Sequence, residues 1–359
     1  GLGIAISSLA SGFLADRMGS KRTIILSLYA SAASAVLVAV SPTLWSMGVF
    51  MLIIGLAAGL YHPAGLAYIT RGVRHPALGL GLHGVAGNVG VFATPAVAIF
   101  ITGLWNWRIA FLFMGGLCAA AGLVFQSAPR DKGADMSEQD SLVRSSLVPQ
   151  SLPWDRDRFL LPLLAVFAVN FVVGFVYRTF LTYLPLHLQE NLGIEFFGIN
   201  SVALGGYVAT FALIFGAFGQ YVGGRFGERY RREFLLVPLA VAMVPVLVVM
   251  GLMNGYLLII AASFFAFFNF MAQPSLGALI ADYTPRGVQG RMFGIMFLVS
   301  AGMGSLGGVS GGWVAHSYGV EQNFILLGIA SLGTLALVIY LALASVKRTR
   351  LPTNAKSIE

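Results

Sequence analysis

Gly12-Phe13-Leu14-Ala15-Asp16-Arg17-Met18-Gly19-Ser20-Lys21-Arg22 decides how the rest of the chain is read. One apolar run precedes this stretch and another follows, so it forms a tight charged turn between two membrane helices. Gly12 lets two helices approach closely, and Gly19 permits a backbone bend. Asp16 is placed to cap a helix start or to pair with an Arg near the membrane face. Arg17, Lys21 and Arg22 hold the turn on the cytoplasmic side.

Composition supports a membrane setting. The 359 residues are 57% hydrophobic and only 10% charged, with a mean hydropathy of +0.83. Soluble domains carry about 25% charged residues. This is the composition of a polytopic membrane protein, not of a soluble enzyme with one anchor. The net charge of +8 is spread over loops between apolar runs. It forms no contiguous basic face, which argues against nucleic acid as a partner. Cys118 is the lone cysteine, so a disulfide framework within the chain and a Cys-based metal site are both excluded.

The apolar runs are read as helices over 1–14, 23–40, 45–70, 80–101 and 109–126, then 159–188, 197–222, 234–252, 256–280, 292–315 and 324–346. Five therefore precede, and six follow, a polar segment of mixed charge. The implied organisation is an N-terminal bundle at 1–126, a cytoplasmic linker at 127–158, a C-terminal bundle at 159–346 and a cytoplasmic tail at 347–359. The first run is shorter than the ~20 residues a crossing needs, and no signal-peptide pattern is visible. One further helix is expected ahead of Gly1, which would make the halves equal.

Alternating the helices across a membrane tests this reading. With the 12–22 turn inside, every Lys and Arg except Arg108 and Arg178 falls in a cytoplasmic segment. That agrees with the positive-inside rule. The halves also repeat. Gly223-Gly224-Arg225-Phe226-Gly227-Glu228-Arg229 aligns with Ala15-Asp16-Arg17-Met18-Gly19-Ser20-Lys21, which puts Gly224 opposite Asp16, and His62-Pro63 aligns with Gln273-Pro274. Two parallel repeats place a substrate site between the halves, near the midplane.

The G-x-L-A-D-R-x-G-x-K-R string resembles the signature loop between the second and third helices of the major facilitator superfamily. The likeness covers nearly the whole chain and implies an all-α fold of two six-helix halves, eleven helices being visible here. Gly59-Leu60-Tyr61-His62-Pro63-Ala64 resembles the Y-H-P motif of the fosmidomycin-resistance-like group of proton antiporters. His83-Gly84-Val85-Ala86-Gly87-Asn88-Val89-Gly90 with Pro95 is similar to that group's H-x-x-x-G-N-x-G…P run. The fuller antiporter motif has Gly where Thr94 stands, which leaves the direction of transport open. The resemblance implies a proton-coupled exporter of small molecules.

Arg178 is the most informative intramembrane residue. An ionised Arg facing lipid costs roughly 3 kcal/mol or more, so it is expected to face the central cavity or a partner. It would attract an anionic substrate, pair with a carboxylate on a preceding helix, or snorkel to the outer interface. His62 precedes a helix-breaking Pro and either responds to protons in the cavity or bonds a freed carbonyl. Tyr61, Tyr177, Asn88, Asn170, Asn269 and Gln273 are polar groups at helix depth. They serve the substrate cavity or glue helices together. His83 is read as a structural contact. Gly84, Gly87 and Gly90, with Pro95, and Gly304, Gly308 and Gly312 form stripes that permit close helix packing. The implied cytoplasmic gate is Gly12, Asp16, Arg17, Gly19, Lys21 and Arg22, with Asp282 near Arg286 and Arg291 at a second cytoplasmic end.

No Asp or Glu lies deep in any visible helix. A proton-coupled carrier needs a titratable group in the membrane, so either His62 serves or a carboxylate lies on a preceding helix. The resembling group carries an acid there. No phosphate-binding loop, H-E-x-x-H or Cys/His cluster is present, so no cofactor or metal is expected. The reading is a secondary transporter of the cell membrane, working by alternating access without enzymatic activity. It is a monomer with small-molecule, proton and lipid partners. Efflux of a small organic compound leads. Uptake of an organic anion held by Arg178, and a non-transporting sensor or assembly subunit, are the alternatives.

Overall fold

The computed structural model describes residues 2–128, 156–193 and 201–350, and every regular element among them is helical. The front half holds α1 (Leu2–Met18), α2 (Ser20–Ala39), α3 (Leu44–Gly59), α4 (Tyr61–Gly72), α5 (Pro76–Leu104) and α6 (Trp107–Gln126). The rear half holds α7 (Arg156–Asn191), α8 (Ser201–Arg229), α9 (Arg232–Leu252), α10 (Tyr256–Asp282), α11 (Gln289–Tyr318) and α12 (Glu321–Arg350). Among the described residues nine spans are long and apolar enough to cross a membrane, with α3 and α4 counted together as Leu44–Gly72. Most of the linker expected at 127–158 (129–155), and the tail beyond residue 350, lie outside the described residues.

Local chemistry accounts for the breaks. Gly19 joins α1 to α2 with φ 89°, a backbone region that favours glycine. The helix read over 45–70 is a single span, Leu44–Gly72, interrupted only at Leu60, which itself keeps helical dihedrals (φ −68°, ψ −25°). The cause is Pro63. It has no N–H to offer the Gly59 carbonyl, and its ring crowds that turn. Serines of α1 answer the loosened carbonyls. Ser11 Oγ donates to the Leu60 carbonyl at 2.5 Å, and Ser8 Oγ reaches the Gly59 carbonyl at 3.5 Å. The polar break is thus satisfied by a neighbouring helix, as the hydrocarbon demands.

The two halves pack differently inside. The front half uses small residues: Ser8, Ser11, Ser20, Ser27 and Ala35 are buried, and Ser27 Oγ on α2 donates to the Ala57 carbonyl on α3 at 2.7 Å. The rear half interlocks large rings. Phe180, Phe265 and Phe324 are fully buried, with the first two 4.4 Å apart between centroids. In lipid such packing gains from dispersion contacts, because the tails are as apolar as the side chains.

Between the halves, α1 and α4 lie against α11, and α5 lies against α8 and α10. These contacts concentrate at the end of the molecule carrying the basic residues of the 12–22 stretch and the α8–α9 corner. A Cβ built on Gly81 would touch the Gly224 Cα at 3.0 Å, and one on Gly294 would touch the Ser8 carbonyl oxygen at 2.8 Å. Further from that end, a Cβ on Gly87, Gly90 or Gly308 would meet nothing within 4 Å. The halves therefore touch at the basic end and part above it.

Candidate functional site: a cavity above two carboxylate latches

A cavity of about 380 Å³ lies between the halves. Helices α4 and α5 line it from the front half, and α7, α8, α10 and α11 from the rear half. Of the residues expected there, His62, Tyr177, Asn88, Asn170 and Gln273 all line it. The break at Leu60 turns His62 inward, where it stacks on Phe297 with ring centroids 5.2 Å apart. Tyr61 stands behind the lining, edge-on to His62 and stacked on His83 at 5.7 Å. His83, expected as a structural contact, is itself part of the lining.

Three expected positions lie elsewhere. Arg178 is exposed and is not among the lining residues; its Cβ and Cγ crowd Gly304, which accounts for the glycine there. Asn269 faces a separate void of about 10 Å³ inside the rear half, bordered by Ser331 and Thr334, and its Nδ2 has no partner among the described residues. One helical turn separates Asn269 from Gln273, and only the latter points between the halves. Of the packing glycines, Gly84 and Gly87 line the cavity, whereas Gly304 and Gly312 face Arg178 and Tyr183 of α7. Pro95 falls on α5, and its side chain lies outside those described.

Below the cavity, Asp16 ties the halves together. Its Oδ1 accepts from the Gly290 N–H at 2.9 Å and its Oδ2 from the Arg291 N–H at 3.0 Å, at the N-terminus of α11. Arg71 of α4 reaches Oδ1 at 2.5 Å, and the Asp16 side chain is only 1% exposed. A carboxylate at a helix N-terminus meets free N–H groups and the positive end of the helix dipole. Gly12, one turn earlier, makes the approach possible, because a Cβ there would overlap the Gly290 carbonyl oxygen.

The partners differ from those expected. Arg17 and Arg22 are exposed, and Lys21 donates instead to the Gln126 and Ala128 carbonyls at the end of α6. Asp282 pairs with Arg232, while Arg291 turns to Asp16.

A second latch mirrors the first. Glu228 at the end of α8 accepts from the Ala77 N–H at 2.6 Å, at the N-terminus of α5, and approaches the Leu78 N–H at 3.4 Å. Arg232 and His75 flank it at 3.5 and 3.4 Å. Gly224, one turn earlier, touches the Ala77 carbonyl as Gly12 touches that of Gly290. Glu228, not Gly224, is therefore the counterpart of Asp16. The repeat runs four residues later than the sequence alignment placed it, and a shift of one turn leaves the same helix face forward. Each half thus holds the other by a carboxylate on a helix start.

Among the described residues, twelve helical segments in two repeat halves, with α3 and α4 forming one span, a cavity between the halves and latches at one end, define the architecture of a membrane carrier. The sequence profile of the Major Facilitator Superfamily matches residues 1–307, with a second match over 197–358. The chain belongs to that superfamily and is a multi-pass membrane protein. Among curated proteins it is similar to the multidrug resistance protein MdtG of Yersinia enterocolitica, 28% identical over 181 residues, which is 50% of this chain and 41% of that protein. MdtG of Escherichia coli is 27% identical over 191 residues, 52% of this chain and 45% of MdtG. The matched stretch thus spans less than half the length of these relatives. Among solved structures, the proton:xylose symporter XylE aligns with a TM-score of 0.78 at 14% identity, covering 95% of this chain and 84% of XylE. The human organic anion transporter MFSD10 aligns with a TM-score of 0.75 at 19% identity, covering 94% and 81%. Both share the fold.

Proposed function

We propose that this protein exports a small organic compound across the cell membrane in exchange for protons, by alternating access. The observation that carries the reading is the cavity between two halves whose close backbone approaches, at Gly12, Gly81, Gly224 and Gly294, lie towards the basic end. That end is the cytoplasmic one by the positive-inside rule. Closing it with Asp16 and Glu228 while the cavity stays accessible above is what one state of an alternating carrier requires. The aromatic and amide lining, Phe270, Phe297, Tyr177, Asn88 and Gln273, suits an organic molecule of modest polarity. The similarity to multidrug resistance proteins supports efflux. His62 and His83 are the lining's imidazoles, each with a nitrogen that can accept a proton. They are the proposed proton carriers among the described residues. The motifs around His62 and Asn88 support membership of the fosmidomycin-resistance-like group, and the linker and tail are proposed to be cytoplasmic.

Inside-out vesicles carrying the protein and an imposed proton gradient test this reading. Fosmidomycin, a panel of lipophilic cations and a panel of small carboxylates are added in turn, and the interior pH is followed. Alkalinisation triggered by one compound, absent from vesicles without the protein, is the expected result. Silence towards every compound overturns the exporter reading; uncoupled uptake of carboxylates alone would replace it with anion import.

A further inference from the structure

One hydrogen-bonded chain of amides crosses between the halves at the level of the cavity. Asn88 Nδ2 on α5 donates to Gln220 Oε1 on α8 at 2.7 Å, and Gln220 Nε2 donates to Gln273 Oε1 on α10 at 3.0 Å. All three residues line the cavity, yet Gln220 is only 6% exposed. Its amide lies flat over Gly84, where an added Cβ would overlap it. A single turn separates it from Gly224, where an added Cβ would meet the Ala77 carbonyl of α5 at 2.9 Å, and two turns from Glu228. Among the described residues Asn88–Gln220 is the one side-chain hydrogen bond that joins the halves within the cavity. It therefore forms the innermost step of the α5–α8 contact.

We infer that Gln220 is the residue through which a ligand in the cavity releases the α5–α8 side of the gate, and that the ligand it reads is an uncharged aromatic molecule bearing a carbonyl or carboxamide. Parting α5 from α8 breaks the Asn88–Gln220 bond, and the amides it strands need new partners in a site with few others. A ligand carbonyl accepts from Asn88 Nδ2, and a ligand N–H donates to Gln220 Oε1, so the ligand takes over what the opposite half supplied. Its ring packs among Tyr177, Phe270 and Phe297. The described lining contains no Asp, Glu, Lys or Arg, so a formal charge on the ligand finds no permanent counter-charge there. A ligand drives such a transition only by binding the released state better. The amide chain provides that difference. This inference rests on the carrier reading, since it assumes that the halves separate.

The test uses the full chain in lipid nanodiscs, with Cys118 replaced by Ala and spin labels on Arg74→Cys and Arg229→Cys, both exposed on opposite halves at the basic end. Interspin distances report the ratio of open to closed basic ends. Without ligand, Gln220→Leu raises that ratio about fivefold, the effect of removing one neutral hydrogen bond. Asn88→Leu does the same, and the double variant adds nothing further. Gly84→Ala displaces the Gln220 amide while keeping it, and supplies the same reading should Gln220→Leu fail to fold. Benzamide raises the ratio in the parent but not in Gln220→Leu; benzoate and benzyltrimethylammonium do not. An unchanged ratio in Gln220→Leu and Asn88→Leu overturns the latch. Benzamide acting equally on parent and Gln220→Leu, or on neither, overturns the ligand class. A latch that responds in nanodiscs while vesicles move no solute leaves this inference standing and sinks the carrier reading instead.

Discussion

Changing Asp16 to Asn alters one atom and leaves the side chain's shape intact, which makes it the sharpest probe of the gate. In the parent, two carboxylate oxygens receive the Gly290 N–H at 2.9 Å, the Arg291 N–H at 3.0 Å and the Arg71 guanidinium at 2.5 Å, all nearly out of solvent's reach. Asn keeps one acceptor and turns an NH₂ towards a donor that formerly had an oxygen. It also removes the carboxylate that Arg71 pairs with in a buried place. Breaking a buried ion pair by removing one partner costs about 3–5 kcal/mol. Arg71 also reaches Ser20 Oγ at 3.4 Å, which retains part of its solvation, so the lower end applies. Asp16 and Arg71 both belong to the front half, so the loss of their pair weighs on open and closed states alike; the closed state alone loses the charge-assisted bonds from the Gly290 and Arg291 N–H groups, about 2 kcal/mol or roughly a 30-fold shift towards opening. Helical content should stay close to the parent's, while loss of the buried Asp16–Arg71 pair lowers the unfolding temperature. Spin labels on Arg22→Cys and Gly287→Cys, both exposed near the α1–α11 contact, would report the shift as a gain of long distances. Transport should slow, because the cycle loses its return to the closed form. A distance distribution identical to the parent's, in a folded Asp16→Asn protein, would refute the latch.

Three further outcomes follow from the same geometry. Glu228→Gln should open the α5–α8 side more weakly, by about tenfold, since one of its two backbone contacts is long and the group is 20% exposed. Combined with Asp16→Asn the effects should add, as the latches lie on opposite sides of the contact and share no partner; strong non-additivity in the distance data would count against two independent latches. Phe180→Ala removes a fully buried ring from between Phe265 and Phe324 and should cost about 3 kcal/mol or more of stability, seen as a lowered melting temperature in detergent, with no change in gate distances. His62→Gln keeps a polar side chain in the cavity but cannot titrate, so substrate exchange should persist while proton movement in the vesicle assay falls; unaltered proton flux would move the coupling to His83 or beyond.

Much of the fold was legible because a bilayer constrains sequence so tightly. Each crossing must be long and apolar, and basic residues collect on one side. Hydropathy and the positions of Lys and Arg therefore suffice to place the helices of two halves around a polar linker. The gate loop was legible for a similar reason: a carboxylate, two glycines and three basic residues packed into a short turn have few other uses. The Pro63 break was half legible. Proline announces a lost hydrogen bond, but not that Ser8 and Ser11 of α1 reach the carbonyls of Gly59 and Leu60 beside it.

Sequence by itself determined the helices and the repeat of two halves, and drew attention to Asp16. Tertiary structure alone decided which groups meet. It registered Glu228 with Asp16, because a one-turn slip leaves the same face forward and periodicity cannot see it. It assigned Arg71 rather than Arg17 to the latch, because partners on separate helices carry no local signal. It set Arg178 against Gly304 and outside the cavity lining, and brought Gln220 between Asn88 and Gln273. A charge at helix depth stands out in a sequence wherever it points. A lone Gln in an apolar helix does not, and its role appears only when the opposing half supplies a glycine to lie on and an amide to hold.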